Sequence, residues 1–279
     1  MQLQRFENLL EFCRQAMPFL LQQPIHHNLL LEIIGTLARA QQVGGRLPYL
    51  AIVKSQDQPV AVALRAAPYG LVLSDITDLA ALRAIAQDLA ARQLDVLSLN
   101  ALAPVAEAFT MLWQATTGQT ATLSMMMKVH QLLAVAPQAA VSGQLRPATI
   151  ADHDWALAWY VAFKQTALGV TPHDQAAWWL ERLQRQDLFV WQDHEPVAIV
   201  CGDVIPGDLG RIFLVYTPPK QRRRGYASAG VAAVSQRLLD RGARSCVLFA
   251  DWDNPTANKI YQAVGYVPIC DWATYKFAP

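Results

Sequence analysis

The sequence predicts a mixed α/β protein of the α+β kind, made of two related domains that each hold a mixed, mostly antiparallel sheet flanked by helices. Short apolar runs of strand length alternate with longer segments whose apolar residues recur at helical spacing. The order helix, helix, strand, turn, strand, strand, helix, strand, helix, strand occurs once in each half. A similar turn, Gln56–Ala61 in the first half and Gln192–Ala198 in the second, stands at the same place in that order.

The first half begins with helical spacing over residues 1–42, which Pro24 divides into two helices. Thr77 and Asp78 are suited to cap a later helix. Residues 134–144 show no strong apolar periodicity, so we expect domains at 1–133 and 145–279 with a linker at 134–144. The other predicted strands and helices of this half are Leu50–Val53, Val60–Leu64, Leu71–Leu73, Leu79–Leu89, Val96–Leu99, Pro104–Trp113 and Leu123–Val129.

The second half repeats this order with stronger signals. A helix carrying Val231, Val234 and Leu238 on one stripe follows its third long strand. The remaining predicted elements are strands at Leu145–Thr149, Leu188–Trp191, Val197–Val200, Ile212–Val215 and Ser245–Ala250, and helices around Trp155–Phe163 and Trp178–Leu183.

Composition and charge exclude several classes of protein. Of the 279 residues, 53% are hydrophobic and 16% are charged, which allows a large core and excludes a disordered chain. A net charge of +1 argues against a protein that binds nucleic acid over its whole surface. Apolar runs stay shorter than about 18 residues, so we expect no membrane span. The start, Met1–Glu7, lacks the order of a signal peptide, which favours a cytoplasmic protein.

Cysteine and histidine spacing gives no support for a metal site. The 4 cysteines are scattered without a CxxC pair, so we expect free thiols in a reducing compartment and no zinc. His26 and His27 are adjacent, and neighbouring residues of a helix do not face the same way. Solvent-facing or capping roles are therefore preferred for both histidines.

The most informative stretch is Val215–Ala227, which joins the apolar run Ile212–Val215 to a helix. Its two prolines end the strand, and Gly225 lets the chain turn closely into the helix. Arg222, Arg223 and Arg224 stand next to the helix start, whose free N–H groups and dipole favour an anion such as pyrophosphate. The first half has no such anion-binding stretch, or cradle, because its corresponding stretch contains Asp75 and neither glycine nor a basic residue.

A second motif follows the strand Ser245–Ala250. Asn254 and Pro255 suit the cap and first turn of a helix, and Gly265 suits its end. Asn258 and Tyr261 are three residues apart and so share one face of this helix.

Together these motifs resemble the GNAT superfamily of N-acetyltransferases over residues 145–279. The family pattern Arg/Gln-x-x-Gly-x-Gly/Ala is matched by Arg222, Gly225 and Ala227, and the whole layout resembles bacterial tandem GNAT proteins with a divergent first half. The resemblance implies an acyltransferase with acetyl-CoA as co-substrate. It also implies that Tyr261 lies near the thioester sulfur and can protonate the leaving thiolate. The cofactor-binding residues it implies are Val215, Tyr216, Thr217, Arg222, Arg223, Arg224, Gly225, Tyr226, Ala227, Ser228, Asn254 and Asn258.

The expected reaction is direct attack of an amine, from a small molecule or a peptide, on the thioester carbonyl. An amine of pKa about 10.4 is neutral about once in 2,500 molecules at pH 7, so a base or a desolvating pocket must help. Asp203 is the candidate base, with a water-mediated base or none as equal alternatives. His194 and Glu195 are poor candidates, because we expect them at the far turn.

Two other functions stay open at this point. One is a non-catalytic acyl-CoA sensor or partner-binding protein that uses the same loop; the other is a nucleic-acid adaptor that uses the loop arginines. A P-loop is excluded, since no Gly-Lys-Ser/Thr follows the loop. The first half is expected to shape the acceptor site or a homodimer.

Overall fold

The computed structural model describes residues 1–40, 48–67, 69–172 and 175–278. The chain forms two compact units, an N-terminal unit of Met1–Val129 with Ile269–Pro279 and a C-terminal unit of His130–Pro268. The last residues of the chain thus belong to the same unit as its first half. The ranges 1–133, 134–144 and 145–279 remain our proposal for the two sequence repeats and the linker between them. In the described part, no helix is long and apolar enough to cross a membrane.

The N-terminal unit has strands on a sheet whose order is β1-β2-β3-β4-β5-β12-β6. The described pairs are antiparallel except β4 with β5, which run parallel and are joined through α3. Its elements are β1 (Gln2–Arg5), α1 (Leu9–Leu20), α2 (Asn28–Ala40), β2 (Tyr49–Ser55), β3 (Gln58–Ala66), β4 (Gly70–Leu73), α3 (Leu79–Ala91), β5 (Ser98–Leu102), α4 (Ala103–Thr117), β6 (Thr120–Leu132) and β12 (Val267–Ala278).

The C-terminal unit repeats this arrangement with the strand order β11-β10-β9-β8-β7. Here β10 and β11 are the parallel pair, joined through α7, and the other described pairs are antiparallel. Its elements are β7 (Gln144–Pro147), α5 (His153–Leu168), α6 (Gln175–Arg185), β8 (Leu188–Asp193), β9 (Glu195–Ile205), β10 (Leu209–Tyr216), α7 (Tyr226–Asp240), β11 (Ser245–Asp251) and α8 (Pro255–Val264).

The predicted fold class, with mixed and mostly antiparallel sheets flanked by helices, is confirmed. The clearest difference lies at the start of the chain, where residues 1–42 were predicted as helices alone. Residues 2–5 instead form β1, which pairs with β2 from Gln2 opposite Lys54 to Arg5 opposite Ala51. Four residues with partly exposed side chains are too few to show a period of two.

The core of the C-terminal unit lies on both faces of its sheet, as the alternation of side chains along a strand requires. Phe189, Val200 and Ile212 pack on the face covered by α7 and α8. The residues next to them in sequence pack on the face covered by α5 and α6. Gly202 lets α7 lie close to the sheet, because a Cβ there would stand 2.8 Å from a methyl carbon of Val234.

Candidate active site

A cavity of about 630 Å³ opens in the C-terminal unit where two parallel strands separate. The pairing of β10 with β11 ends at Ile212 opposite Leu248, although β10 continues to Tyr216 and β11 to Asp251. The cavity is lined by Phe163, Thr166, Ala167, Val215, Tyr216, Thr217, Gln221, Arg222, Arg223, Gly225, Tyr226, Ala227, Ser228, Asn254, Thr256, Ala257, Ile260 and Tyr261.

The end of β10 forms one wall of this cavity. A register shift between Ile212 and Leu214, where β10 pairs with β9, bends the strand at the point where β11 departs. Val215, Tyr216 and Thr217 then line the cavity. Beyond Ile212 the edge of β10 on the β11 side has no strand partner among the described residues, so its backbone groups are available to a ligand.

The start of α7 forms the second wall. Gly225 stands at the N-cap in the left-handed conformation, with φ of 84°, and no described side chain caps the first turn with a hydrogen bond. The first N–H groups of a helix have no partner within it. The cavity is lined by Gly225, Tyr226, Ala227 and Ser228, so these donors and the positive end of the helix dipole lie beside it.

The three loop arginines are exposed, but they do not contribute equally. Arg222 and Arg223 line the cavity, and the Arg222 Nε donates to the Thr217 carbonyl at 3.0 Å. Arg224 is not among the lining residues. The loop therefore presents two cations and the uncapped start of α7 to the same space, which suits a ligand with more than one negative charge.

The turn between β8 and β9 holds this loop in place. The Tyr226 hydroxyl donates to Asp193 Oδ2 at 2.6 Å, and Gln221 Nε2 donates to Glu195 Oε1 at 2.7 Å. Because Glu195 bonds to the loop, the expectation that His194 and Glu195 lie at a far turn was wrong. Their turn is next to the loop that precedes α7 and supports it.

Two asparagines near the start of α8 have different roles. Asn254 lines the cavity, and its Oδ1 accepts from the Ala257 N–H at 3.0 Å as the predicted cap of α8. Asn258 is absent from the lining; its Nδ2 donates to the carbonyls of Asp251 and Asn254, each at 2.9 Å. It therefore braces the turn that presents Asn254.

Tyr261, on α8, is a buried titratable side chain of the cavity lining. It is 9% exposed, and burial raises the pKa of its hydroxyl to about 12. Its ring lies 6.2 Å from the rings of both His130 and Tyr266. At neutral pH the hydroxyl therefore keeps its proton and can donate a hydrogen bond into the cavity.

Asp203 is not brought to the cavity. It lies opposite Arg211 in the β9–β10 register, five residues from Tyr216, which is about 16 Å along the strand. Its carboxylate is held by Arg185 at 2.8 Å and by Arg241 at 3.7 Å. This position and these ion pairs give Asp203 a structural role at the opposite end of the sheet.

No aspartate, glutamate or histidine is found among the described residues that line the cavity. The described part of the chain also holds no group of three or more His, Cys, Asp and Glu residues placed to bind a metal ion. The site offers backbone donors, two arginines and the phenols of Tyr216, Tyr226 and Tyr261, of which Tyr226 donates to Asp193. That set suits an anion and can donate hydrogen bonds, but among the described lining residues it contains no carboxylate or imidazole base.

Sequence reasoning missed the residues that α5, α8 and the loop add to the lining. Helical spacing was the available signal on α8, because Ala257, Ile260 and Tyr261 stand at i, i+3 and i+4. No comparable signal marked α5, whose Phe163 looks in sequence like any core aromatic. The residues missed are Phe163, Thr166, Ala167, Gln221, Thr256, Ala257 and Ile260.

Comparison with protein families identifies this part of the chain. Residues 153–266 match the family model described as the acetyltransferase (GNAT) family, so they form a GNAT acetyltransferase domain, as the sequence resemblance predicted. The matched range contains the whole lining of the cavity. A search of curated proteins gives no match.

Solved structures support the fold over nearly the whole chain. A GNAT-family acetyltransferase from Colwellia psychrerythraea has a TM-score of 0.61 at 11% identity and covers 99% of both chains. A tandem GNAT protein from the clavulanic acid biosynthesis pathway has a TM-score of 0.57 at 13% identity and covers 99% of this chain and 98% of its own. A GCN5-related N-acetyltransferase from Kribbella flavida has a TM-score of 0.56 at 18% identity and covers 88% and 95%. These likenesses show the fold.

Proposed function

We propose that the C-terminal unit, which contains the GNAT acetyltransferase domain at residues 153–266, moves an acetyl group from acetyl-CoA to the amine of a small molecule or a peptide. One observation carries this proposal. A single cavity is lined by the free end of β10, the uncapped start of α7 with two arginines, and the protonated Tyr261. These parts suit the arm, the pyrophosphate and the sulfur of an acyl-CoA, respectively.

The polar atoms of the lining fit such a ligand. Thr217 Oγ1 and Gln221 Oε1 are buried and have no hydrogen-bond partner among the described residues. Buried polar atoms without a partner are costly, so a ligand that bonds to them gains affinity. The arm of CoA carries amide groups, and its pyrophosphate suits the N–H groups at the start of α7.

In the reaction that we propose, the amine nitrogen forms a bond to the acetyl carbon and the carbon–sulfur bond breaks. The backbone N–H groups near Val215–Thr217 stabilise the negative charge that develops on the carbonyl oxygen. Tyr261 donates a hydrogen bond to the leaving sulfur. A full proton transfer from a phenol of pKa about 12 to a thiolate of pKa about 8.5 costs about 5 kcal/mol. The proton that ends on sulfur therefore comes from the attacking nitrogen.

The absence of a carboxylate or imidazole from the described lining has a measurable consequence. Without a base, the rate depends on the fraction of amine that is already neutral, which rises tenfold per pH unit below the amine pKa. For an alkyl amine we expect log kcat/KM to rise with unit slope from pH 6 to about pH 9. A plateau that begins near pH 7 would show that a base acts in the cavity.

The experiment that tests the function combines binding and turnover. Calorimetry with acetyl-CoA measures binding, and a thiol reagent measures CoA release in the presence of a panel of amines and peptides. We expect micromolar binding and release that depends on one class of amine. If Arg222→Ala combined with Gly225→Glu leaves acetyl-CoA binding intact, the site is assigned wrongly.

A second function, that of a non-catalytic acyl-CoA sensor, is favoured by the same lack of a base in the described lining. The position of Tyr261 beside the cavity favours the enzyme. Tight acetyl-CoA binding with no CoA release for any amine between pH 6 and pH 10 would support the sensor.

A further inference from the structure

The segment that precedes β7, predicted as a linker at 134–144, is bonded to the C-terminal unit along its length. Ala136 N–H donates to the Val264 carbonyl at 2.9 Å, at the end of α8. Gln138 Nε2 donates to the Ala263 carbonyl at 3.1 Å. The segment then runs from the end of α8 to the start of α7.

At the start of α7 this segment packs against the end of the loop that precedes the helix. Val141 joins Trp191 and Tyr226 in a small apolar cluster. A Cβ on Gly225 would stand 3.0 Å from a methyl carbon of Val141, so the segment lies directly against the N-cap. The next residue, Ser142, accepts a hydrogen bond from Trp191 Nε1 on its carbonyl at 2.9 Å.

One carboxylate oxygen joins the segment to α7. Ser142 Oγ donates to Asp193 Oδ2 at 2.7 Å, and the Tyr226 hydroxyl donates to the same oxygen at 2.6 Å. Both bonds lower the pKa of Asp193, so its carboxylate is ionised at neutral pH. Hydrogen bonds to an ionised acceptor are shorter and stronger than those between neutral groups.

We propose that Ser142, Asp193 and Tyr226 form a positioning cluster that fixes the first turn of α7 and thereby sets the affinity for the pyrophosphate of an acyl-CoA. This inference rests on the proposed function. Tyr226 is the first residue of α7, and within the described part of the chain no side chain caps that end of the helix. The orientation of its free N–H groups therefore depends on the Tyr226 anchor, and small displacements of donor groups weaken the binding of a charged ligand.

The test compares two ligands that differ only beyond the arm. CoA carries the pyrophosphate, and pantetheine carries the arm without any phosphate. We measure the CoA dissociation constant by calorimetry and that of pantetheine by competition with CoA. For Ser142→Ala and for Tyr226→Phe we expect CoA to bind about tenfold more weakly, which corresponds to one hydrogen bond to a charged group. Pantetheine should bind as it does to the wild type.

Two further variants serve as controls. Ser142→Thr keeps the hydroxyl and should restore CoA binding. Asp208→Asn makes a carboxylate-to-amide change on an exposed turn at the start of β10, where Asp208 pairs with Arg244 at 3.5 Å, and should leave both ligands unaffected.

Three results would overturn the proposal: unchanged CoA affinity in both cluster variants, tighter CoA binding in either, or an equal loss for CoA and pantetheine. The last would mean that the cluster only supports the fold. If the wild type binds neither acetyl-CoA nor CoA, the proposed function fails, and the cluster proposal fails with it.

Discussion

Each unit of this chain has a connection from a strand to a helix, β4 to α3 in the N-terminal unit and β10 to α7 in the C-terminal unit, which we call a crossing. The two units use this crossing in different ways. In the C-terminal unit, α7 begins without a side-chain cap, and two arginines stand beside its free N–H groups. In the N-terminal unit, α3 begins with Asp78, whose Oδ1 accepts from the Ala80 N–H at 2.8 Å. One helix start is thus left free for an external anion, whereas the other is capped by its own carboxylate.

The segments between these strands and helices also differ, because the one in the N-terminal unit is bonded to side chains of its own unit. Past the end of β4, the Asp75 N–H donates to His27 Nε2 at 3.1 Å, and His27 Nδ1 lies 2.8 Å from the Leu20 carbonyl. A carbonyl only accepts and an N–H only donates, so His27 is neutral with its proton on Nδ1. The Asp75 carboxylate lies 3.1 Å from His26 Nδ1. Side chains of the unit itself thus bond to the segment after β4, whereas the proposed function places a cofactor arm beside the end of β10.

The third difference lies in the helix after the next parallel strand, which is α8 in the C-terminal unit and α4 in the N-terminal unit. Tyr261 stands six residues after Pro255 on α8, and Thr110 stands six residues after Pro104 on α4. Thr110 is buried, and its Oγ1 has no partner among the described residues. A shared order of elements therefore specifies the scaffold, and a few side chains decide whether it binds a ligand.

The largest expected effect comes from giving α7 the cap of α3. Gly225→Asp places a carboxylate beside the pyrophosphate site, and we expect acetyl-CoA to bind at least 100-fold more weakly, since like charges about 4 Å apart near a surface repel by several kcal/mol. Calorimetry measures the change. Gly225→Asn, which also tolerates a positive φ, should lose much less. An equal loss in both variants would show that backbone strain, and not charge, is responsible.

A large effect on turnover is expected from Tyr261→Phe. Loss of the donor to the leaving sulfur should lower kcat about 100-fold, while the dissociation constant of acetyl-CoA changes less than about twofold. The matched variant in the other unit, Thr110→Val, should leave kcat unchanged and stabilise the protein slightly, because it removes a buried unpaired hydroxyl. An unchanged kcat in Tyr261→Phe would remove Tyr261 from the chemistry.

A smaller effect is expected from Arg222→Ala. We expect about a tenfold loss of acetyl-CoA affinity at low salt and a smaller loss in 0.5 M NaCl, because the guanidinium is exposed and its charge is screened. Arg224→Ala is the control, since Arg224 does not line the cavity. Equal losses in the two variants would mean that the loop attracts the ligand only through its total charge.

The smallest effect concerns His27, which bonds to the crossing of the N-terminal unit. Burial lowers the pKa of His27 below the ordinary 6.5, so the unfolded chain binds more protons than the native chain when the pH falls below that value. The contribution of His27 to stability is therefore complete above about pH 6.5 and is lost on acidification. We expect about 1 kcal/mol less unfolding free energy at pH 5 than at pH 7.5 from this group. Denaturation of His27→Gln at both pH values should lack that part of the change, and an equal change in the variant would contradict the assignment.

Local signals made much of the site predictable from the sequence. The cap at Asn254, the helix end at Gly265 and the turn at Gly225 depend on the conformational preferences of single residues. The absence of a cradle in the first half was predicted from Asp75, and the structure adds its bond to His26. These features need no knowledge of distant contacts.

The rest depended on strand pairing, which single residues do not reveal. β9 and β10 are antiparallel, so the end of β9 at Asp203 lies beside the start of β10, far from the cavity. The same pairing puts the start of β9, with Glu195, beside the end of β10 and the loop. The position of Asp203 after a strand suggests a base, but the sequence does not show which end of the sheet that strand reaches.

The stoichiometry of acetyl-CoA binding tests most directly whether only one of the two crossings binds an acyl-CoA. Calorimetric titration of the wild-type chain should give one site per chain, and titration of Gly225→Asp over the same range should give none. Two sites in the wild type, or one site of wild-type affinity left in the variant, would contradict the assignment of the cofactor to the start of α7.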